Sequence, residues 1–135
     1  MNNIAEAVAV SELTAPFWEA ASNRSLVYPY CPQCAQAFFV PQVVCPTCHT
    51  YDWEWRTSGG VGVVETFTWI ERPPTPEFDP PYCLAVVVME EGWRLLTNIV
   101  KSEPGKVTIG DRVAVEWIER GGQTLPGFAP TGGAR

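Results

Sequence analysis

Residues 31–48 read CPQCAQAFFVPQVVCPTC, in which two C-x-x-C motifs, Cys31 to Cys34 and Cys45 to Cys48, are separated by ten residues. Each motif bends so that its two sulfurs converge on one metal ion, and together the motifs provide the four thiolates that structural zinc prefers. Such a set leaves no coordination position for water or substrate, which a catalytic zinc requires. The pattern therefore predicts a structural zinc site that stabilises the fold without doing chemistry.

Three other arrangements of these cysteines compete with zinc. Two disulfides need an oxidising compartment, but residues 1–10 lack the basic and long apolar regions of an export signal, which favours a reducing cytoplasm. Covalent haem would fit the sequence from Cys45 to His49, but it is attached outside the cytoplasm and would leave Cys31 and Cys34 without a role. A rubredoxin-like iron uses the same four sulfurs, so the ligands alone leave zinc and iron open.

Length and charge restrict the remaining possibilities. The chain has 135 residues, of which 46% are hydrophobic, enough for one compact domain or two small ones. No uninterrupted apolar run approaches the roughly 20 residues that span a bilayer, so we expect no membrane segment. The net charge is −6, with only nine scattered Lys and Arg residues. Because nucleic-acid phosphates bind basic surfaces, a nucleic-acid partner is not expected.

The chain divides into four predicted parts: a helical segment (1–27), a zinc ribbon (28–52), a barrel (53–120) and a Gly/Pro-rich tail (121–135). Pro16 and the spacing of the apolar residues after it predict a short amphipathic helix within residues 11–23. A helix of this length is not stable alone, so it must pack on its own domain or on a partner. The ribbon has too little apolar area to fold without metal. Within it, the apolar segment 35–44 is predicted to form a hairpin.

After the ribbon, the pattern changes to strands. Short β-branched and apolar runs at 61–71, 83–89, 94–100 and 112–118 are separated by glycine-bearing turns, one of them at 90–92. Four or five strands in this length fit a small antiparallel barrel of the OB-fold or SH3-like type. Two segments are expected to be irregular. The proline-rich loop 72–81 is stiff and could recognise a partner, and the tail could pack across the barrel or reach a partner.

Few residues are suited to catalysis. His49, the single histidine, neighbours a metal ligand and is expected to be solvated. Cys83 begins an apolar run, where a buried, inert thiol is usual, and a second histidine that could activate it is missing. The inventory favours a binding or scaffolding subunit over an enzyme.

An ordered set of short motifs resembles the small zinc-ribbon/OB-fold proteins that accompany acyl-CoA enzymes. The resemblance covers roughly Leu13 to Pro130 and rests on Pro16-Phe17-Trp18, Tyr30-Cys31-x-x-Cys34, Pro41, Cys45-Pro46-x-Cys48, Ser58-Gly59-x-Val61-Gly62, Thr66-Phe67-Thr68, Pro81-Tyr82, Glu91-Gly92, Ile109 to Val113 and Leu125-Pro126-x-Phe128-x-Pro130. Two positions depart from the pattern: Ala35 stands where glycine is usual, and Gln42 where a basic residue is usual. Neither is a metal ligand.

This resemblance implies a mainly β fold: a short N-terminal helix, a rubredoxin-like zinc ribbon and then an OB-fold barrel. It also implies a subunit that is not catalytic alone and docks on a thiolase-superfamily aldolase or thiolase, with which it shares acyl-CoA as a ligand. The acyl group could be a steroid side chain or an aromatic acid. A hot-dog-fold acyl-CoA hydratase is an alternative partner. A stand-alone binding module, either a nucleic-acid adaptor or an electron carrier, is the alternative from another class.

A hetero-oligomer with two copies of this chain is expected, because closed two-fold symmetry is the commonest arrangement. The candidate partner contacts are aromatic residues: Phe17, Trp18, Phe38, Phe39, Phe78, Tyr82 and Phe128.

Overall fold

The computed structural model describes residues 11–72 and 81–131. Within these ranges the chain is mainly β, as predicted, and contains a three-stranded sheet, a closed five-stranded barrel and one short helix. The helix α1 has eight residues, which is too few to span a bilayer, and none of the described residues form a helix long and apolar enough to do so. The elements are α1 (Ala15–Ser22), β1 (Val27–Cys31), β2 (Gln36–Ala37), β3 (Glu54–Thr57), β4 (Val61–Ile70), β5 (Tyr82–Met89), β6 (Arg94–Ile99), β7 (Arg112–Arg120) and β8 (Gln123–Pro130).

The ribbon sheet has the order β2-β1-β3, with both pairs antiparallel. β1 and β2 form the hairpin that carries the first C-x-x-C motif. The predicted hairpin within 35–44 is therefore wrong, because the segment contains only the two-residue strand Gln36–Ala37, which pairs with β1 outside it. After Ala37 the chain leaves the sheet, and it returns as β3, which pairs with the other edge of β1. The predicted boundary at 52/53 also needs correction, because Glu54–Thr57 pairs in the ribbon sheet and not in the barrel.

The barrel closes in the order β4-β5-β6-β8-β7. Antiparallel pairing of β4 with β7 and parallel pairing of β6 with β8 complete the circle, which is the topology of an OB barrel rather than an SH3-like one. β5 alternates strictly, with every second residue buried from Cys83 to Met89, because successive side chains of a strand point to opposite faces. A bulge between Val64 and Thr66 increases the bend of β4, which pairs with two different strands.

The fifth barrel strand corrects the predicted irregular tail. Gln123–Pro130 is β8, and it pairs with β7 along the whole strand. The two strands are joined by Gly121 and Gly122, both with positive φ (59° and 79°), which is the backbone that a two-residue hairpin turn requires. Phe128, predicted as a partner contact, points into the barrel and is fully buried. The barrel therefore extends beyond the predicted limit at residue 120.

The helix packs on its own chain through one of its faces. Phe17 and Ala21 are buried, and α1 lies against β1 and β8. Pro16 occupies the first turn, where its missing N–H costs no hydrogen bond. The proline-rich loop cannot be judged in the same way, because residues 73–80, including Phe78, lie outside the described part of the chain.

One carboxylate bonds to both the ribbon–barrel linker and the barrel. Glu91, in the β5–β6 turn, accepts hydrogen bonds from Ser58 Oγ (3.0 Å), the Gly59 backbone N–H (2.8 Å) and Trp93 Nε1 (3.0 Å). Ser58 and Gly59 form the linker between the two sheets. The Trp93 ring stacks on Tyr28 of the ribbon, with centroids 5.2 Å apart. The carboxylate therefore holds the linker and the stacked pair together.

Replacing this carboxylate should destabilise the chain more than replacing its neighbour. Glu91→Ala leaves three donors without their acceptor, and we expect a loss of about 1–3 kcal/mol of unfolding free energy. Glu90→Ala removes only an exposed ion pair with Arg112 and should cost about 0.5 kcal/mol or less. Urea unfolding of the metal-loaded variants measures both values. Equal losses in the two variants would show that the Glu91 contacts do not hold the junction.

Candidate metal centre and adjoining groove

The four predicted ligands converge on one point. The Sγ atoms of Cys31, Cys34, Cys45 and Cys48 all lie within 4.8 Å of one another, and the pairs Cys31–Cys48 and Cys34–Cys45 are each 3.6 Å apart. A tetrahedral zinc with Zn–S bonds of about 2.3 Å places its sulfurs about 3.8 Å apart, whereas a disulfide holds them at about 2.05 Å. The arrangement fits a four-coordinate metal ion, and each close pair takes one cysteine from each motif.

Backbone geometry explains how each motif turns its sulfurs inward. The residue after each motif, Ala35 and His49, has a positive φ (58° and 64°). The His49 backbone N–H donates to the Cys45 carbonyl, and the Cys45 N–H donates to the Thr50 carbonyl, which closes the second knuckle. Glycine adopts this conformation most easily, so Ala35 is sterically less favourable at this position than a glycine would be. His49 is exposed, as predicted, and its conformation shapes the turn.

The surroundings of the thiols push their pKa values apart. Burial, together with the neighbouring thiols of Cys45, Cys31 and Cys48, raises the pKa of Cys34 to about 12. Burial acts in the same sense on Cys45, but the backbone N–H groups of Cys48 and Thr47 outweigh it and lower the pKa of Cys45 to about 6. Metal binding must therefore displace protons from part of the set, which makes the affinity pH-dependent.

The ribbon has only a small apolar cluster around the thiols. Cys31, Phe38 and Cys45 are buried there, with Cys34 and Trp53 partly buried beside them. Phe38 and Trp53 meet edge to face at 5.5 Å, and Trp53 Nε1 donates to the Val43 carbonyl at 3.1 Å. Next to the thiols, the segment between β2 and β3 is thus held by the ligand set, this aromatic pair and the indole hydrogen bond.

A groove of about 310 Å³ lies beside the ribbon. Its walls come from three parts of the chain, and every residue that lines it is uncharged. The helix side contributes Thr14, Phe17 and Trp18, the ribbon contributes Phe39–Pro41, and the barrel contributes Leu95–Asn98, Ile118, Leu125 and Pro126. This size and apolar lining are typical of binding sites.

The structure separates the predicted partner contacts into groups. Phe17, Trp18 and Phe39 come together at the groove, although Phe17 is itself buried. Phe38 and Phe128 do not reach a partner-accessible surface, because Phe38 packs in the metal cluster and Phe128 fills the barrel core. This corrects the prediction for those two residues. Tyr82 lies at the start of β5, away from the groove.

Two exposed groove residues were missed in the sequence. Leu96 and Val40 line the groove with 65% and 61% of their surface accessible. A signal existed for Leu96, since adjacent Leu95 and Leu96 in one strand must point to opposite faces. Cys83, by contrast, is fully buried as predicted, and burial raises the pKa of its thiol.

Comparisons with known proteins match both halves of the chain. The family described as "ChsH2, rubredoxin-like zinc ribbon domain" matches residues 18–54, and "ChsH2, C-terminal OB-fold domain" matches residues 55–117. A solved structure of an Ltp2-ChsH2(DUF35) aldolase superimposes with a TM-score of 0.84 at 37% identity, covering 92% of this chain and 98% of that one. A DUF35 protein of unknown function from Sulfolobus solfataricus, at 16% identity and a TM-score of 0.59, shares the fold.

Curated relatives extend the likeness. A probable enoyl-CoA hydratase alpha subunit of Thermomonospora curvata is 40% identical over 116 residues, which cover 84% of this chain but 36% of the relative. DUF35 domain-containing scaffold proteins of Methanothermobacter thermautotrophicus and Methanocaldococcus jannaschii are 36% and 32% identical. The matches cover 64% and 70% of those two proteins. The hydratase relative is much longer, and this chain spans only about a third of it.

The metal set predicts a clear difference between two cysteine variants. Cys31→Ala removes a buried ligand and should abolish stoichiometric metal binding, together with the order of the ribbon. Cys83→Ala removes an equally buried thiol outside the set and should retain one metal ion per chain. Elemental analysis of the purified variants measures the ratio, and colour separates ferric iron, which is red, from zinc. Metal retention by Cys31→Ala would contradict the assignment.

Proposed function

Because this chain belongs to the ChsH2 family, in which a rubredoxin-like zinc ribbon precedes an OB-fold domain, we propose that it is a non-catalytic, zinc-binding subunit of an acyl-CoA enzyme complex in the cytoplasm. The observation that carries the proposal is the likeness to the Ltp2-ChsH2(DUF35) aldolase, which extends over nearly the whole of both chains. The name of that protein pairs a ChsH2 chain with a second component, and the relatives named as scaffold proteins support a similar role here.

The proposed partner is a thiolase-superfamily aldolase or thiolase that acts on an acyl-CoA degradation intermediate, such as that of a steroid side chain or an aromatic acid. The partner supplies the catalytic groups. This division agrees with the described residues, because the four thiolates form a closed set, His49 is exposed and the Cys83 thiol is buried in the barrel. None of these groups lies in the groove.

A hot-dog-fold acyl-CoA hydratase is the second candidate partner. The observation in its favour is the 40% identity to a probable enoyl-CoA hydratase alpha subunit. That relative is almost three times as long as the matched region, so its additional part could contain the hydratase function while this chain corresponds to its accessory part.

We propose that acyl-CoA is a ligand shared with the partner rather than bound by this chain alone. Its phosphates need cations, but five basic side chains on the described surface already pair with carboxylates: Arg24–Glu119, Arg56–Glu54, Arg94–Glu65, Lys101–Glu116 and Arg112–Glu90. With a net charge of −6, the chain has little positive field for several phosphates. Cations from the partner would complete such a site.

The uncharged groove is the docking surface that we propose for the catalytic partner. Trp18 and Phe39 form its half-buried aromatic part, and Leu96 and Val40 form its exposed apolar part. In protein interfaces, a few aromatic anchors that lose contact with water on binding contribute most of the affinity. A partner that inserts apolar side chains here would bury surface that is now in contact with water.

The test is to purify the tagged chain gently from its source cells, with zinc present, and to identify whatever co-elutes on a sizing column. We expect a thiolase-like protein in equal amount, in an assembly with two copies of this chain, and retro-aldol cleavage or thiolysis that is lost when this chain is absent. A hydratase-like protein with enoyl-CoA hydration would identify the second candidate. A monomer that captures neither would contradict the accessory role.

A matched pair of variants tests the docking surface. Leu96→Glu places a charge in the groove, whereas Ile109→Glu places one on the barrel outside the groove, and the two native side chains are almost equally exposed (65% and 64%). We expect the first variant to weaken the complex by at least about tenfold, because the carboxylate would have to be buried or excluded. The second variant should bind normally. Calorimetry with the purified partner measures both affinities, and equal affinities would exclude the groove.

A further inference from the structure

Two adjacent aromatic residues connect the metal site to the groove. Phe38 packs in the cluster that contains Cys31 and Cys45 and meets Trp53 edge to face. The next residue, Phe39, faces the other way and belongs to the barrel cluster. One peptide unit therefore joins a residue beside the thiols to a residue of the groove wall. A displacement of Phe38 must move Phe39 as well.

Phe39 is the central ring of the aromatic contacts at the groove. Its centroid lies 5.3 Å from that of Phe17 in the helix and 5.3 Å from that of Trp93 in the barrel. Phe17 in turn meets Trp18 edge to face at 4.9 Å, and both line the groove. The position of Phe39 thus determines how the helix, the ribbon and the barrel meet along this wall.

Apart from the ring contacts of Phe38 and Phe39, the segment that carries Phe39 has few contacts with the rest of the described chain. The Phe38 backbone N–H donates to the Pro29 carbonyl at 3.1 Å, and beyond it the chain belongs to no strand or helix until β3. The second ligand pair, Cys45 and Cys48, lies within this stretch. Four thiolates on one ion would tie the first ligand pair, before this stretch, to the second pair within it.

We infer that metal binding at the four cysteines and the shape of the groove are thermodynamically coupled through Phe38 and Phe39. When the metal is bound, the ribbon fixes Phe38, and Phe39 then completes the aromatic wall. When the metal is lost, Phe39 leaves the contacts with Phe17 and Trp93, and the groove loses its ribbon wall. Phe39 is thus a positioning residue for a metal ion that it does not touch. The inference goes beyond the proposed function and does not depend on the identity of the partner.

Coupling free energies are reciprocal, which provides a test without any partner. If the metal positions Phe39, the barrel contacts of Phe39 must also strengthen metal binding. Phe39→Ala, which leaves all four thiolates in place, should raise the zinc dissociation constant by about tenfold, within the range of roughly 5- to 150-fold that is typical of coupled sites. Phe39→Leu, which keeps an apolar side chain, should recover most of the affinity.

Competition against a chromophoric zinc chelator measures these constants on the full chain. Val43→Ala is the matched control, because Val43 lies in the same segment but is 64% exposed and does not line the groove. It should bind zinc as the unchanged chain does. Circular dichroism confirms that each variant is folded. If Phe39→Ala binds zinc within about twofold of the unchanged chain, well below typical coupling, the inference is overturned.

Methyl NMR spectra measure the coupling in the other direction. Removing zinc from the unchanged chain should shift the methyl signals of Leu96 and Leu125 in the groove, while those of Val107 and Ile109, outside it, stay in place. Phe39→Ala lacks the ring that links the metal site to the groove wall. Removing zinc from this variant should therefore change the groove signals much less. Groove signals that do not respond to zinc removal in the unchanged chain would overturn the inference even if the ribbon itself unfolds.

Discussion

The four thiolates are the constraint on which the rest of the structure depends. Between β2 and β3 the chain runs for sixteen residues (38–53) without a strand or helix. Around the thiols its apolar support is little more than Phe38 and Trp53, while Phe39 packs on the barrel cluster. Ordering each residue costs about 1.5 kcal/mol of conformational entropy, which so small a cluster does not offset. Metal–sulfur bonds would therefore replace a hydrophobic core around the thiols, whereas the other end of the ribbon, at Leu26 and Tyr28, shares the core of the barrel.

The barrel is stabilised in a different way, by burial of apolar side chains. Its interior is filled by the alternating residues of β5 together with Trp93 and Phe128, all nearly or fully buried. Closure of the sheet removes the exposed edges that a five-stranded sheet would otherwise present. The two halves thus depend on different interactions. They meet at the Glu91 hydrogen bonds and in the main apolar cluster, where Leu26 and Tyr28 beside and within β1 pack with Trp93 and the barrel residues.

The features that were predicted correctly depend on local patterns, and the incorrect ones depend on three-dimensional context. The cysteine spacing identified the ligand set, and strand alternation located β4 to β7. The last strand was missed because its Pro and Gly residues are typical of irregular segments, although Pro126 is tolerated where β8 pairs only briefly with β6. Phe128 and Trp18 are both aromatic residues outside the predicted strands, so no local signal tells the buried one from the half-buried one.

The groove combines elements that are unequally stable. The barrel contributes strands from a closed core, and the ribbon contributes a segment without regular structure between the two ligand pairs. Helix α1, at eight residues, is well below the roughly 12–15 at which an isolated helix becomes even marginal. The complete surface exists only when all three are in place, because Phe39 contacts both Phe17 and Trp93. With the coupling inferred above, such a surface is presented only by a folded, metal-loaded chain, which suits the role proposed for this subunit.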